Sequence, residues 1–419
     1  MNHRQQSVVP MLDMESLKVI APLGRGAKGV VFHVQDQLSG EFWALKVIWR
    51  DVVERKNKEI SGGNEYKRIC LEQQLLCHFD HPLLPRLHGV LSTDKIVAYA
   101  IDYCSGPDLH RLRRQQTEKM FCIDIIRFYA AELVLALEYL HKLGIAYRDL
   151  KPENVMIQDN GHLMLVDFDL STKLAPKNSQ SSPFPKSIPK HKSPHHNRRF
   201  SPLHRCCKKG IRQDESSDQP ETDTTEKSNS FVGTEEYVAP EIIQGQGHDF
   251  AVDWWSLGVV LYEMLYGATP FKGSNRKETF YRILTKEPDL VGEATPVRDL
   301  IRKLLVKDPK QRIRLEGVKG HEFFRGINWD MVLQVSRPPY IPTVESGNIN
   351  EGIETTNKID IELFVQGIFA ISKEDGENEN RNNVEEEKKK NDDGVNHDEN
   401  KDQETWVKGL RNHHNFHVF

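Results

Sequence analysis

The patterned part of the chain begins with three short runs, Leu17–Gly24, Val30–Asp36 and Glu41–Ile48. Each is apolar and rich in β-branched residues, and turns bearing Gly or Ser separate them, which predicts strands in an antiparallel meander. Leu71, Leu75 and Leu76 then form an apolar stripe at helical spacing, with His81-Pro82 as the predicted stop. IVAYAIDYC (Ile96–Cys104) returns to a strand pattern. Over Cys122–Lys142 the apolar positions Ile125, Ile126, Tyr129, Leu133, Leu137 and Leu140 predict a core helix that Gly144 terminates. Two stretches lose all pattern. Ala175–Lys227 is dominated by Pro, Ser and charge, with too few apolar groups to offset the entropy of ordering, and reads as a disordered insertion. Residues 373–404 are acidic and Asn-rich and read as a solvated linker.

Chemistry concentrates at Ala146–Met156, AYRDLKPENVM, where Asp149, Lys151 and Asn154 stand within six residues. One loop with those groups can face a hydroxyl, a phosphoryl group and a metal together. A second acid, Asp167, follows the apolar run HLMLV. Such a pair of carboxylates suits phosphoryl transfer, one orienting the attacking hydroxyl and the other holding Mg²⁺ on the phosphates. The turn LGRGAKGVV (Leu23–Val31) supplies Gly24, Gly26 and Gly29 with Val31 closing the spacing. Glycine there lets the backbone approach phosphate oxygens. The turn lies between strands, which argues against a dinucleotide fold. Lys46 follows it among apolar neighbours, in WALKV.

With 419 residues, two lobes plus tails are expected. The formal net charge of -4 gives no global pull toward nucleic acid. The six cysteines lack zinc-site spacing, and the N-terminus lacks a signal-type apolar core, so reduced thiols in an intracellular protein are expected. No run approaches the roughly 18 apolar residues of a membrane span. Asn at residue 2 excludes N-myristoylation, and the last residues are not a prenylation box. The expected location is cytoplasm or nucleus, not outside the cell.

In order along the chain stand the glycine turn, Lys46, the Asp149 loop, Asp167-Phe168-Asp169, Ala239-Pro240-Glu241 and Asp253-Trp254-Trp255-Ser256-Leu257-Gly258. The chain thereby resembles the eukaryotic serine/threonine protein kinases. Tyr147, Asp169 where kinases generally have Gly, the insertion and RPPYIP (Arg337–Pro342) are similar to the plant AGC group. The final Phe416-His417-Val418-Phe419 resembles its oxidative-signal-inducible subgroup, which implies stress or defence signalling.

The resemblance implies an α+β, bilobal kinase fold: a β-rich N-lobe over 17–103, a helical C-lobe over 104–325 with the insert at 175–227, and a C-terminal tail over 326–419 after a short segment 1–16. The implied cofactors are ATP and Mg²⁺. Leu23, Gly24, Arg25, Gly26, Ala27, Lys28, Gly29, Val30 and Val31 would cover the phosphates. Lys46 would hold them, fixed by Glu72 (Glu59 and Glu65 being alternatives), with Ile101 behind the site and Asp102 to Cys104 meeting adenine. Asn154 and Asp167 would bind the metal, Asp149 would orient the hydroxyl and Lys151 would offset charge. Glu241 would pair with Arg312, and Asp253 would brace the catalytic loop. Asp169 suits the turn because Asp tolerates unusual backbone angles. A pseudokinase scaffold is the alternative that Asp169 suggests. A nucleic-acid module in the insert is the other, weakened by only two aromatics there, Phe184 and Phe200.

Four further expectations concern regulation. Ser230, with Ser228 as a second site, is the expected activating phosphosite, its roughly two negative charges pairing with Arg148. Asp108, Glu153 and Glu263 are expected to line a groove for basic protein substrates. Nine Lys/Arg and no Asp/Glu between Lys186 and Arg212 suit nuclear import or an anionic membrane surface, with Cys206-Cys207 beside them. Phe416 and Phe419 are expected to dock a phosphoinositide-dependent upstream kinase, the terminal carboxylate supplying a charge that most such motifs gain by phosphorylation. The protein is expected to act as a monomer.

Overall fold

The computed structural model describes residues 9–59, 65–174, 233–336, 338–342, 359–370 and 417–418. The basic insert with Cys206 and Cys207, Ser228 and Ser230, the acidic linker, Phe416 and Phe419 lie outside the described residues. The chain divides into two compact units. The smaller comprises Met1–Glu65, Arg86–Tyr103 and Ser346–Phe419, and the larger Tyr66–Pro85 and Cys104–Glu345.

The smaller unit is built on a sheet of β1 (Leu17–Arg25), β2 (Gly29–Asp36), β3 (Phe42–Trp49), β4 (Leu87–Ser92) and β5 (Ile96–Asp102), with α1 (Arg50–Glu59) after β3. A further strand at the edge, β10 (His417–Val418), pairs in parallel with Gly24 and Arg25. The strand order is β10-β1-β2-β3-β5-β4. The predicted meander β1–β2–β3 is antiparallel throughout. Because strand side chains alternate, Val31 and Lys46 share one face while Val30, Phe32, Val34, Leu45 and Val47 share the other. The second face is an apolar core, with Phe32, Val34, Leu45 and Val47 fully buried.

That core is closed by a helix the strand pattern gave no reason to expect. Residues 361–370 are helical, and Ile361, Val365, Ile368 and Phe369 are buried in the same cluster, with Phe364 packed against it. Asp360 caps this helix, its Oδ1 accepting the N–H groups of Glu362 (2.9 Å) and Leu363 (3.1 Å).

The larger unit is helical. Its α2 (Glu65–Leu76), whose first residue belongs to the smaller unit, stops five residues short of Pro82, and α3 (Leu109–Arg114) and α4 (Ile123–Lys142) follow. α4 ends at Gly144, whose φ of 73° only glycine adopts cheaply. Four short strands then build the loop region: β6 (Ile145–Ala146), β7 (Val155–Ile157), β8 (Leu163–Leu165) and β9 (Thr172–Lys173), paired β6 with β9 and β7 with β8. Beyond them lie α5 (Pro240–Ile243), α6 (Ala251–Tyr266), α7 (Arg276–Thr285), α8 (Pro296–Leu304) and α9 (Leu315–Lys319). α6 is apolar nearly all round and is buried from Ala251 to Met264. The helix of residues 361–370 is α10. No helix among the described residues is long and apolar enough to cross a membrane.

Candidate active site

In the smaller unit the glycine-bearing turn joins β1 to β2, closed by the Gly26 N–H donating to the Gly29 carbonyl (2.9 Å). The three glycines do not serve one purpose. A Cβ on Gly29 would fall 1.8 Å from the Val47 carbonyl, so Gly29 is dictated by the close approach of β3. A Cβ on Gly26 would meet nothing nearer than the Gly29 carbonyl at 3.9 Å, which leaves open space over that part of the turn. The turn is tied down along its length. Lys28 pairs with Glu65 (2.7 Å), Lys56 donates to the Ala27 carbonyl (3.3 Å), and Arg25 lies over the Phe369 ring at 5.0 Å. Glu65 is thus a partner of Lys28. Lys46 stands opposite Val31 on β2 and Tyr99 on β5, its ammonium 5.8 Å from the Tyr99 ring centre. The Val30 side chain points into the core on the face opposite Lys46. The Asp102 carboxylate accepts from the Arg86 N–H (2.8 Å) and is 2.7 Å from His88 Nε2.

In the larger unit Asp149, Lys151 and Asn154 come together as the spacing implied. The Asn154 amide donates to the Asp149 carbonyl and to its Oδ2, each at 2.9 Å. Lys151 lies 3.2 Å from the same Oδ2. Thr234, from the far side of the insert, donates its hydroxyl to Asp149 Oδ1 (2.9 Å) and accepts from Lys151 Nζ (3.1 Å). A carboxylate has about four lone-pair directions. Three are engaged here, which leaves one on Oδ1 for an incoming hydroxyl. Burial pushes the Asp149 carboxyl above the ordinary carboxylate range, and Lys151 pulls it back.

Several groups hold this loop in shape. Buried Asp253 accepts the N–H groups of Tyr147 (3.0 Å) and Arg148 (2.7 Å) and a hydrogen bond from His141 Nε2 (2.8 Å). Arg148 adopts φ 69°, the left-handed region, beside that anchor. Tyr147, where most kinases have His, is fully buried and donates its hydroxyl to the Val166 carbonyl (2.5 Å), next to Asp167. Phe168 is wedged between Phe79 and Tyr147, with ring centres 4.8 and 5.3 Å away. Its N–H donates to the buried Glu72 carboxylate on α2 (3.2 Å). The unusual backbone angle of the metal motif falls on Asp167 (φ 58°) and not on Asp169. Asp169 therefore fits without special tolerance, and the missing glycine carries no conformational penalty.

The three acids expected at a substrate groove sit in different surroundings. Asp108 is buried and caps α3 through the Arg111 N–H (2.8 Å). Glu263 is buried between Arg113 (2.7 Å) and the Tyr237 hydroxyl (2.5 Å). Burial raises the Glu263 carboxyl, while Tyr237 and Arg113 lower it. Glu153 is the least buried of the three, 38% exposed in its side chain, with Oε1 3.3 Å from His110 Nδ1 and Oε2 itself buried. Cys104 is buried with its thiol 3.6 Å from the Met164 sulfur. Sequence reasoning missed Thr234 as a contact of Asp149, because the long insert hides its proximity. It also missed His248, whose Nε2 accepts from Arg148 (3.2 Å).

Among the described residues no group of three or more His, Cys, Asp or Glu side chains forms a metal cage. Asp167 and Asn154 offer two oxygen donors, which suits a cation that takes its remaining ligands from water and phosphate.

Comparison with known proteins agrees with this geometry. The protein kinase domain family model matches residues 17–188 and 216–324. The chain is 56% identical over 414 residues to the serine/threonine-protein kinase OXI1 of Arabidopsis thaliana, covering 96% of this chain and 95% of that one. It is 41% identical to the Arabidopsis serine/threonine-protein kinase UCN, over 81% of this chain and 86% of the other. To the Arabidopsis serine/threonine-protein kinase AGC1-5 it is 38% identical, over 80% and 60% respectively. No support for a pseudokinase emerges from these relatives, and the chain belongs to the protein kinase family, among the plant AGC serine/threonine kinases.

Proposed function

We propose that the chain transfers the γ-phosphoryl group of ATP to Ser and Thr hydroxyls of protein substrates, with Asp149 as the group that receives the substrate hydroxyl. The observation that carries this reading is the engagement of Asp149 by Asn154, Lys151 and Thr234, which orients the carboxylate and leaves one acceptor position open. The hydroxyl donates to Oδ1 and is aimed by it, and its proton passes to that oxygen as attack proceeds. The raised Asp149 carboxyl makes it a better acceptor than an exposed Asp. Lys151 offers positive charge beside the transferred group. Asn154 and Asp167 would hold Mg²⁺, which when bound neutralises charge on the phosphates. The open turn at Gly26 and the ammonium of Lys46 would receive the phosphates.

Basic substrates are proposed on narrower ground. Glu153, half-buried, is the least buried of the three acids, while Asp108 and Glu263 are buried with their partners. Activation is proposed through Ser230, with Arg148 as the cation for its phosphate, and through docking of an upstream phosphoinositide-dependent kinase on Phe416 and Phe419. The basic insert is proposed as an address, nuclear or membrane-peripheral. A peptide array incubated with the full chain, Mg²⁺ and labelled ATP tests the reading, with Lys46→Met as the comparison. Label on Ser and Thr peptides with basic residues before the acceptor is expected, and little with the variant. Equal labelling by both proteins would exclude Lys46 from the reaction, and a preference for acidic flanks would overturn the substrate assignment.

A further inference from the structure

The tail helix α10 lies across the sheet of the smaller unit and ends at the glycine-bearing turn. Ile361, Phe364, Val365, Ile368 and Phe369 follow the i, i+3, i+4, i+7, i+8 pattern of one apolar helical face. Near its start the helix is fixed over the β4–β5 turn. Thr93 donates to Glu362 Oε1 (2.6 Å), and Lys95 is 3.5 Å from the same carboxylate. At mid-length Phe364 meets Phe32 edge to face at 5.3 Å. At the far end Phe369 lies beneath the Arg25 guanidinium, 5.0 Å from it. Arg25 is the last residue of β1 and immediately precedes Gly26. Phe369 is only 8% exposed, so the cation stands over a ring that is already seated in the core.

We propose that Phe369 is a positioning residue for the nucleotide: it holds Arg25, and through it the glycine-bearing turn, in the shape that receives the phosphates. Beside these ties the turn has open space at Gly26, where a Cβ would meet nothing nearer than the Gly29 carbonyl at 3.9 Å. A flexible turn spends part of its time in shapes that do not bind, and weakens apparent affinity by that fraction. The fixed ring reduces that fraction because the Arg25 cation is attracted to its face. The tail thereby contributes to nucleotide binding without touching the nucleotide. This inference rests on the reading that the turn covers the phosphates.

Five variants of the full chain, one of them a double, separate the possibilities, with kcat, KM for ATP and thermal unfolding measured on each. Phe369→Leu keeps the apolar contact and removes the aromatic face, so the helix stays seated. It is expected to raise KM for ATP about three- to tenfold, the range that loss of one cation–π contact supports, with kcat little changed. Phe369→Tyr restores the face and should restore KM. Arg25→Gln, which also removes the other contacts of Arg25, should raise KM at least as much as Phe369→Leu, and adding Phe369→Leu to it should raise KM no further, since the ring then has no cation to hold. A purely structural helix would give Phe369→Leu a lower melting temperature with KM unchanged, which overturns the proposal. Additive effects of the two substitutions also overturn it. Gly26→Ala tests the underlying reading, because the protein itself has room for that Cβ. If Gly26→Ala raises KM for ATP and Phe369→Leu does not, the positioning role alone fails. If neither Gly26→Ala nor Arg25→Gln moves KM, the turn does not hold the phosphates and both claims fall.

Discussion

Replacing Asp253 by Asn tests how the catalytic loop is held. Asp253 is wholly buried, 0% exposed, and its two oxygens accept three hydrogen bonds. Oδ1 takes the Arg148 N–H, and Oδ2 takes the Tyr147 N–H and His141 Nε2. Asn keeps one carbonyl oxygen, which serves the two donors at the Oδ2 position, and puts an NH₂ at the Oδ1 position, where the Arg148 N–H then faces a donor. A hydrogen bond to a charged acceptor is worth about 1.5–3 kcal/mol, which is the loss expected there. The strain at Arg148 adds to the effect. Its left-handed φ of 69° costs about 1–2 kcal/mol in a non-glycine residue and is held in place by the same anchor. A domain with about 5–15 kcal/mol of stability survives this loss, but Asp149, one residue past Arg148, does not keep its place. Thermal unfolding and steady-state kinetics on one preparation should show a folded protein with a lowered melting temperature and kcat reduced at least about tenfold, equivalent to about 1.4 kcal/mol. His141→Ala removes one side-chain donor, leaves both backbone bonds and should keep most of the rate. A wild-type kcat in Asp253→Asn would refute the bracing argument.

Glu241→Gln should lower stability by about 3–5 kcal/mol in urea unfolding, because the Arg312 guanidinium, 0% exposed in its side chain and bonded at 2.7 and 3.0 Å, is left charged and buried. A loss under about 1 kcal/mol would show that the pair is not needed. His248 is held neutral, its pKa lowered from 6.5 to about 4 by burial and then by Arg148. Its contribution to stability is therefore present above pH 6.5 and lost as pH falls toward 4, by at most ~3 kcal/mol. His248→Gln should flatten that part of the stability-against-pH curve, and an unchanged slope would contradict the assignment. Gly29→Ala should cost about 2 kcal/mol or more, since its Cβ would lie 1.8 Å from the Val47 carbonyl, and unaltered unfolding would show that β3 moves freely.

The strands, α4 and the Asp149 loop were legible because each depends on neighbours in sequence: alternation, a helical stripe, and three chemical groups within six residues. The meaning of single residues was less so. Gly29 fits a phosphate motif, yet what forbids a side chain there is the carbonyl of Val47, a strand away. Asp169 was expected to need tolerance of unusual angles, but Asp167 takes that conformation. Thr234 reaches Asp149 across 85 residues, a separation that no local pattern reports. Asp108 and Glu263 read as acids lining a substrate groove, and only the fold shows that one caps a helix and the other pairs with Arg113. The helix α10 carried a readable apolar stripe, but it stands before an acidic linker whose composition dominates the tail.

Transfer of labelled phosphate by Asp149→Asn tests the central claim most directly. The variant is nearly isosteric and should fold as the wild type does. The full chain with Mg²⁺, labelled ATP and a Ser-containing basic peptide should show turnover in the wild type. The same mixture with Asp149→Asn should show at least about 100-fold less, the share that a positioned acid–base group contributes. Turnover in the variant equal to that of the wild type would contradict the assignment of Asp149, and absence of turnover in both would contradict the proposed reaction itself.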